Sequence, residues 1–343
     1  MSGGVDSSVA GALLLEQGHT VVGVTMRLWG GESDTGCCSV SDVDDARRVA
    51  QQLGIDHHVF NFGDEFTAKV VDPYVRGHAD GVTPNPCIEC NRHLKFDELL
   101  TRADVLGFDA VATGHHARII RHDDRWVVAR GADRDKDQSY VVHMLDQAAM
   151  SRTLFPVGEY SKAEVRARAK QLGLRTAAKP DSQDVCFITS EGGRRTFLGD
   201  RIPFRPGTVR TAKGDVVGAV DAVEMVTIGQ RRGLSLAGAP SRRFVLDVDV
   251  DRAEVTVGSA DELLRSSEVV DGMVWAAAPV DGDVLVQCSA HGAVHPASVS
   301  TEGNRLRLDW ARPQRRVAPG QSAVLYSTDD QRVLGGGRVV RSG

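Results

Sequence analysis

The opening of this chain constrains it most: Ser2-Gly3-Gly4-Val5-Asp6-Ser7-Ser8 runs directly into the apolar Val9-Ala10-Gly11-Ala12-Leu13-Leu14. Glycines and small hydroxyl residues let successive backbone N–H groups converge on an anion, and a helix beginning near Ser7 adds the positive end of its dipole. The pattern predicts a phosphate-binding loop. It lacks the lysine that a Walker loop places on the β,γ-phosphates. Such a loop suits the holding of pyrophosphate as a leaving unit while chemistry occurs at the α-phosphate. A loop of this kind ordinarily follows a buried parallel strand, yet only Met1 precedes Ser2, so a central strand is expected upstream of Met1.

Through residue 203 the pattern alternates between helix and strand. A helix over 8–17 ends at Gly18 and is followed by the β-branched run from Thr20 to Thr25. A second helix opens at Ser41, carries Val43, Ala46, Val49, Ala50 and Leu53 on one face, and stops at Gly54. Strands are expected from His57 to Phe62 and from Phe108 to Ala112, the latter delivering Thr113-Gly114-His115-His116 at its C-terminal end. A Ser161/Glu164 capping box opens a helix reaching Leu172. This order predicts an α/β, doubly wound, Rossmann-like parallel sheet over residues 1–203, with ligands at the strands' C-terminal ends. Beyond it, short strand-like runs are expected over Val216 to Ile228, Arg243 to Val257, Val284 to Ala290, Leu306 to Trp310 and Ala323 to Tyr326, separated by Gly, Pro and Asp turns. They predict two small all-β domains, over 204–265 and 266–343, the last a β-barrel.

A net charge of −5 argues against a wholly basic nucleic-acid binder. RNA contact would use local patches such as Arg194-Arg195, Arg201, Arg205, Arg210, Arg231-Arg232 and Arg242-Arg243. No apolar run approaches the roughly 20 residues that span a bilayer, and no signal peptide opens the chain, so a cytoplasmic location is expected. Six cysteines then point to chemistry or metal before disulfides.

Thr83-Pro84-Asn85-Pro86-Cys87-Ile88-Glu89-Cys90-Asn91 sets a Cys-x-x-Cys in a proline-stiffened loop, with Arg92, His93 and Lys95 close by to favour a thiolate at Cys90. Lys179-Pro180-Asp181-Ser182-Gln183-Asp184-Val185-Cys186-Phe187 supplies a third thiol. Cys186 reads equally as a working thiol or as a buried core residue. A zinc site is a further reading of these cysteines, although no second Cys-x-x-Cys or His pair stands at finger spacing. Cys37-Cys38 and Cys288 read as structural or incidental.

These motifs, together with Gly36-Cys37-Cys38-Ser39, Lys95-Phe96, ATGHHAR, Asp135 to Tyr140, Leu154 to Gly158, Thr227 to Leu234 and Pro319 to Ala323, resemble one family in order and over nearly the whole chain. It is the bacterial tRNA-specific 2-thiouridylase family, of the PP-loop ATP pyrophosphatases. The resemblance implies an enzyme that adenylates the C2 oxygen of the wobble uridine with ATP and Mg²⁺, then inserts sulfur and releases AMP. It implies ATP contacts at Met1, Ser2, Gly3, Gly4, Val5, Asp6 and Ser7, with the main chain at Met26 and Gly114 on the adenosine and Asp6 a metal partner. It further implies that Cys186 carries a persulfide delivered by a sulfur carrier protein or cysteine desulfurase. Cys90 is then the nucleophile that frees the sulfur and ends in a disulfide with Cys186. Asn85, Pro86 and Cys87 would meet the target base, and His115, Lys136, Asp137, Gln138 and Gln321 match tRNA-contacting positions.

Two departures stand out. Cys87 occupies a position that is Asp in some members, and Cys288-Ser289-Ala290-His291-Gly292 fills the region of an Arg-Tyr pair that some members use on tRNA. Three thiols at Cys87, Cys90 and Cys186 raise the alternative of a four-iron cluster with one iron open, in place of the persulfide relay.

Overall fold

The computed structural model describes residues 1–28, 40–181, 185–188, 192–236 and 242–341. Gly4 is extended and α1 (Val5–Glu16) begins immediately after it. The helix is apolar on nearly every side, so it is sunk in the domain, with Val5, Val9 and Leu13 packed against Val49, Val157, Val165 and Leu174. β1 (Gly23–Arg27), α2 (Val40–Leu53) and β2 (His57–Asn61) form a parallel crossover unit. Ala46, Val49 and Ala50 form the buried stripe of α2. The helix gives way at Gly54, whose φ of +70° suits a residue without Cβ.

β3 (Val111–Ala112) leads into an antiparallel hairpin, β4 (Ala117–His122) and β5 (Arg125–Arg130), that turns through Asp123 and Asp124 at φ +47° and +60°. The chain returns as β6 (Thr153–Leu154), parallel to β3. Among the described residues, the parallel sheet expected over residues 1–203 is represented by two parallel pairs, β1–β2 and β3–β6, with the glycine loop touching both. Met1 is tied to β1, its ammonium donating to the Val24 carbonyl and its own carbonyl accepting from Thr25 Oγ1 at 2.6 Å.

The all-β part follows the sequence pattern. β7 (Gly207–Thr211), β8 (Val216–Val220), β9 (Ser235–Leu236), β10 (Phe244–Asp249) and β11 (Glu254–Gly258) form one sheet in the order β10-β11-β7-β8-β9. The run expected to extend to Ile228 stops at Val220, where the chain folds into a short 3₁₀ turn at Val223–Met225. β12 (Leu264–Trp275), β13 (Gly282–Gln287), β14 (His295–Glu302), β15 (Arg305–Arg315), β16 (Ser322–Tyr326) and β17 (Val333–Val340) close into a barrel, leaving no open sheet edge.

The barrel and the first domain share a core. Ile88, Phe96, Tyr140 and Met144 pack with Val324, Tyr326 and Val333. Hydrogen bonds tie the same seam, Thr83 N–H to the Pro319 carbonyl at 2.8 Å and Tyr140 hydroxyl to the Ser322 carbonyl at 3.0 Å. Among the described residues, no helix is long and apolar enough to cross a membrane.

Candidate active site

The glycine loop is held by its own hydroxyls and by the strand end that faces it. Ser7 and Ser8 donate to the Gly4 carbonyl at 3.2 and 2.8 Å, and the Ser2 N–H donates to Ser7 Oγ at 3.1 Å. Gly3 has φ +69°, and a Cβ there would collide with the Asp42 carbonyl oxygen. Gly114, just past β3, lies so close that a Cβ would stand 2.6 Å from the Ser7 nitrogen. Gly114→Ala is therefore expected to push the loop away and weaken ATP binding about tenfold or more, the overpacking cost being about 1–3 kcal/mol. Calorimetric titration with ATP checks this, and an unchanged affinity would refute the close packing as a constraint.

Asp6 sits in a knot of charge. Lys162 Nζ donates to both of its oxygens at 2.7 Å, and His116 Nε2 lies 3.1 Å from Oδ1. Lys162 also meets Asp181 at 2.9 Å, which in turn pairs with Lys136 at 3.0 Å and Arg166 at 2.8 Å. Burial pushes both carboxyls up, but for Asp6 the hydrogen bonds from His116 and Lys162 prevail and hold its pKa below the usual range. For Asp181 the hydrogen bonds from Lys162 and Lys136 prevail over burial and bring it down to about 2. Lys162 is a site residue that the sequence reading misses. It does leave a signal: it follows the Ser161 cap, and a cation in a helix's first turn opposes the dipole, a local cost that a functional contact offsets. The loop that lacks a Walker lysine receives one from a helix far along the chain.

The cysteine motifs converge. Asn85 caps the short helix Pro86–Cys90, its Oδ1 accepting the Cys87 N–H at 3.1 Å with Pro86 in the first turn. One helical turn separates the two thiols, so Cys87 is exposed while Cys90 is buried in a cluster with Leu28, Phe66, Tyr74, Phe187 and Phe197. Met26 and Cys186 pack against the same cluster. Two of the cations expected near Cys90, Arg92 and His93, pair with acidic residues, because Glu89 and Asp97 stand at helical spacing from them. Arg92 lies 3.6 Å from Glu89, and His93 lies 3.4 Å from Glu89 and 3.1 Å from Asp97. Cys288 is half-buried beside the barrel core, and desolvation pushes its thiol up to about 12. Ser182, Gln183, Asp184 and the Gly36 to Ser39 motif lie outside the described residues.

Beside this cluster a cavity of about 620 Å³ opens between the first domain and the barrel. Tyr74, His78, Thr83, Pro84, Asn85 and Pro86 form one wall, Val185 and Ile188 flanking Cys186 a second, and Gly193, Arg194 and barrel residue Gln321 the rest. Gln321 is fixed by donating from Nε2 to the Thr83 carbonyl at 2.6 Å. Lys136 is partly exposed beside Asp181. Gln138 accepts the His116 N–H at 2.9 Å. His115 lies sealed between Phe96 and Phe155, with its Nδ1 on Thr113 Oγ1 at 2.7 Å, and burial drives its pKa well down. The Asp137 carboxylate is buried against Arg130 at 2.8 Å. Neither His115 nor Asp137 reaches the surface on which Lys136 lies.

Three domain models match the chain in succession: the tRNA methyl transferase HUP domain over residues 1–190, the tRNA methyl transferase PRC-barrel domain over 195–259 and the aminomethyltransferase β-barrel domain over 269–339. Similar proteins named tRNA-specific 2-thiouridylase MnmA include one from Chloroflexus aurantiacus, 46% identical over 99% of this chain and 97% of its own length. Others come from Herpetosiphon aurantiacus, 44% identical over 99% and 96%, and Heliobacterium modesticaldum, 42% identical over 100% and 91%. With identity of 42–46% over 99–100% of its length, the chain belongs to the tRNA-specific 2-thiouridylase family.

Proposed function

We propose that this protein is a tRNA-uridine 2-sulfurtransferase acting on the wobble uridine, carrying out both ATP-dependent activation and sulfur insertion. The observation that supports it best is the convergence of Cys90 and Cys186, 96 positions apart in sequence, on one cluster beside a cavity walled by Asn85, Pro86 and Gln321. A pyrimidine carbonyl oxygen is a poor leaving group, so the C2 oxygen must first be bonded to a phosphoryl group. Ser2 to Ser7 would cradle the β,γ-phosphates, with the main chain at Met26 and Gly114 on the adenosine. Lys162 supplies the positive charge that the loop itself lacks. Asp6 would hold Mg²⁺, which neutralises charge on the departing pyrophosphate. One carboxylate beside a phosphate-binding loop fits that ion, since Mg²⁺ commonly uses one or two carboxylates together with substrate phosphates.

Sulfur then enters as a persulfide on Cys186, received from a sulfur carrier protein or a cysteine desulfurase. The carried sulfur bonds to C2 as AMP leaves, and Cys90 then attacks Cys186 Sγ, so that the bond to the carried sulfur breaks, the thiolated base is released and a Cys90–Cys186 disulfide remains. The base must leave the anticodon stack to reach the cavity. Lys136 and Gln321 lie on the side that would meet RNA, and a tRNA substrate places the reaction in the cytoplasm. The four-iron reading fits the residues poorly. Cys87 is exposed, Cys90 is buried, and among the described residues no three His, Cys, Asp or Glu side chains form a group able to hold a metal.

The decisive experiment incubates the protein with ATP, Mg²⁺, tRNA and a persulfide donor, cysteine with a cysteine desulfurase, then identifies the wobble nucleoside by mass spectrometry. 2-Thiouridine is the expected product. A methylated uridine formed with a methyl donor would instead favour the activity that two of the domain descriptions name. Cys87→Ala is expected to retain sulfur transfer within about threefold of the wild type, because the relay uses only Cys90 and Cys186. Loss of transfer in that variant would reopen a role for the third thiol.

A further inference from the structure

A chain of ion pairs runs from the glycine loop to the surface. Lys162 Nζ donates to both Asp6 oxygens at 2.7 Å and lies 2.9 Å from Asp181 Oδ1. Asp181 Oδ1 also accepts from Arg166 at 2.8 Å, and its Oδ2 accepts from Lys136 Nζ at 3.0 Å. The Lys136 side chain is 41% exposed and that of Lys162 only 11%, so of the two lysines Lys136 is the one that an RNA backbone can reach. The backbone between them is pinned. Asp133 Oδ2 accepts the Lys162 N–H at 2.8 Å, and the Asp133 carbonyl accepts the Lys136 N–H at 3.2 Å. Partners along the chain can therefore change by side-chain rotation, with the loop left in place.

In this arrangement Lys162 is held on Asp6, the carboxylate that would bind Mg²⁺. Asp181 competes for the same ammonium, but it divides its charge among Lys162, Lys136 and Arg166, whereas Asp6 turns both oxygens to Lys162. We propose that Asp181 is a positioning residue that couples RNA binding to nucleotide binding: when an RNA phosphate takes Lys136, Asp181 draws Lys162 off Asp6 and makes the phosphate loop ready for nucleotide. The inference rests on the sulfurtransferase reading, which gives the chain both a nucleotide and a tRNA to bind, and deepens it.

With Lys136 engaged elsewhere, Asp181 Oδ2 is open to the Lys162 ammonium. An ammonium has three hydrogens, so Lys162 turned onto Asp181 keeps one for a nucleotide phosphate, and Asp6 is left to the metal. Neutralising Lys136 also removes a positive charge from the neighbourhood of the phosphates, which opposes nucleotide binding. That charge is exposed and screened, whereas the exchange of partners occurs at the more buried Lys162, where the effective dielectric is lower, so the exchange prevails. By linkage the effect is reciprocal, and nucleotide tightens tRNA binding by the factor with which tRNA tightens nucleotide binding. An enzyme built this way activates ATP with its RNA substrate in place.

Calorimetric titration of the full chain with Mg²⁺ and α,β-methylene ATP, which cannot lose pyrophosphate, measures the coupling with and without saturating tRNA. In the wild type, tRNA is expected to tighten nucleotide binding at least about fivefold. Lys136→Met should show that gain without tRNA, and tRNA should then add less than about twofold, because Asp181 is already open to Lys162. A lysine acting only as a nearby positive charge gives the opposite sign, so unchanged or weaker nucleotide binding in Lys136→Met overturns the proposal. Adding Asp181→Asn to Lys136→Met should erase the gain, and a gain that persists there overturns it too. Should the double variant fail to fold, Lys136→Met, altered at an exposed side chain, decides alone. A wild type that shows the coupling but forms no 2-thiouridine sinks the sulfurtransferase reading and leaves the coupling standing. A wild type that forms 2-thiouridine while each ligand binds indifferently to the other sinks the coupling alone.

Discussion

Replacing either Cys90 or Cys186 with serine is expected to abolish 2-thiouridine formation, by at least about 10⁴-fold, while adenylation of the tRNA continues. Serine keeps the size and packing of each side chain but is neither a persulfide carrier nor a nucleophile at neutral pH. The two variants should stop at different places. Cys186→Ser cannot accept sulfur, so adenylated tRNA builds up with no covalent link to protein. Cys90→Ser still carries the persulfide to C2 but cannot cleave it, so tRNA becomes attached to Cys186 through a disulfide that reductant releases. Labelled ATP, mass spectrometry of the nucleosides and non-reducing gels read out the three species. Undiminished 2-thiouridine in either variant would end the relay. An adduct in Cys186→Ser with none in Cys90→Ser would reverse the roles.

That Cys186 packs against the cluster that buries Cys90 is not legible in the sequence, since nothing in the local pattern of Cys186 separates a working thiol from a core residue. Features governed by neighbours in the chain are readable. The glycine loop opens α1, Ser161 and Glu164 form the reciprocal capping box, and Gly54 ends α2 with positive φ. Features set by distant partners are not. Lys162 looks like any helix-surface lysine until Asp6 and Asp181 are brought to it. His115 and Asp137, which the resemblance turns toward RNA, lie beneath the surface because Phe155 and Arg130 arrive from elsewhere in the chain to cover them.

Arg130→Met is expected to destabilise the protein by about 3–5 kcal/mol, the cost of removing one partner from a buried ion pair. The guanidinium, 6% exposed, donates to Asp137 at 2.8 Å, to Gln287 at 2.7 Å and to Asp330 at 2.7 Å, and lies 3.6 Å over the Tyr326 ring. It therefore links the β4–β5 hairpin, the Asp137 loop and the barrel. Methionine fills much of the volume but leaves Asp137 without its counter-charge. Adding Asp137→Asn to Arg130→Met should recover part of the loss, a coupling that unfolding of the single and double variants measures. If both single variants unfold at the wild-type denaturant concentration, the network is not what joins the two domains. The same series separates two roles for Asp137. Its Oδ1 accepts the Gly131 N–H at 2.8 Å and the Ser139 N–H at 3.3 Å, and its Oδ2 accepts from Arg130 at 2.8 Å and from the Ser139 hydroxyl at 2.7 Å. With both oxygens engaged and buried, the carboxylate holds the loop that carries Lys136. Asp137→Asn alone should thus lower stability and tRNA affinity together, whereas Lys136→Ala should lower tRNA affinity and its salt dependence with stability unchanged.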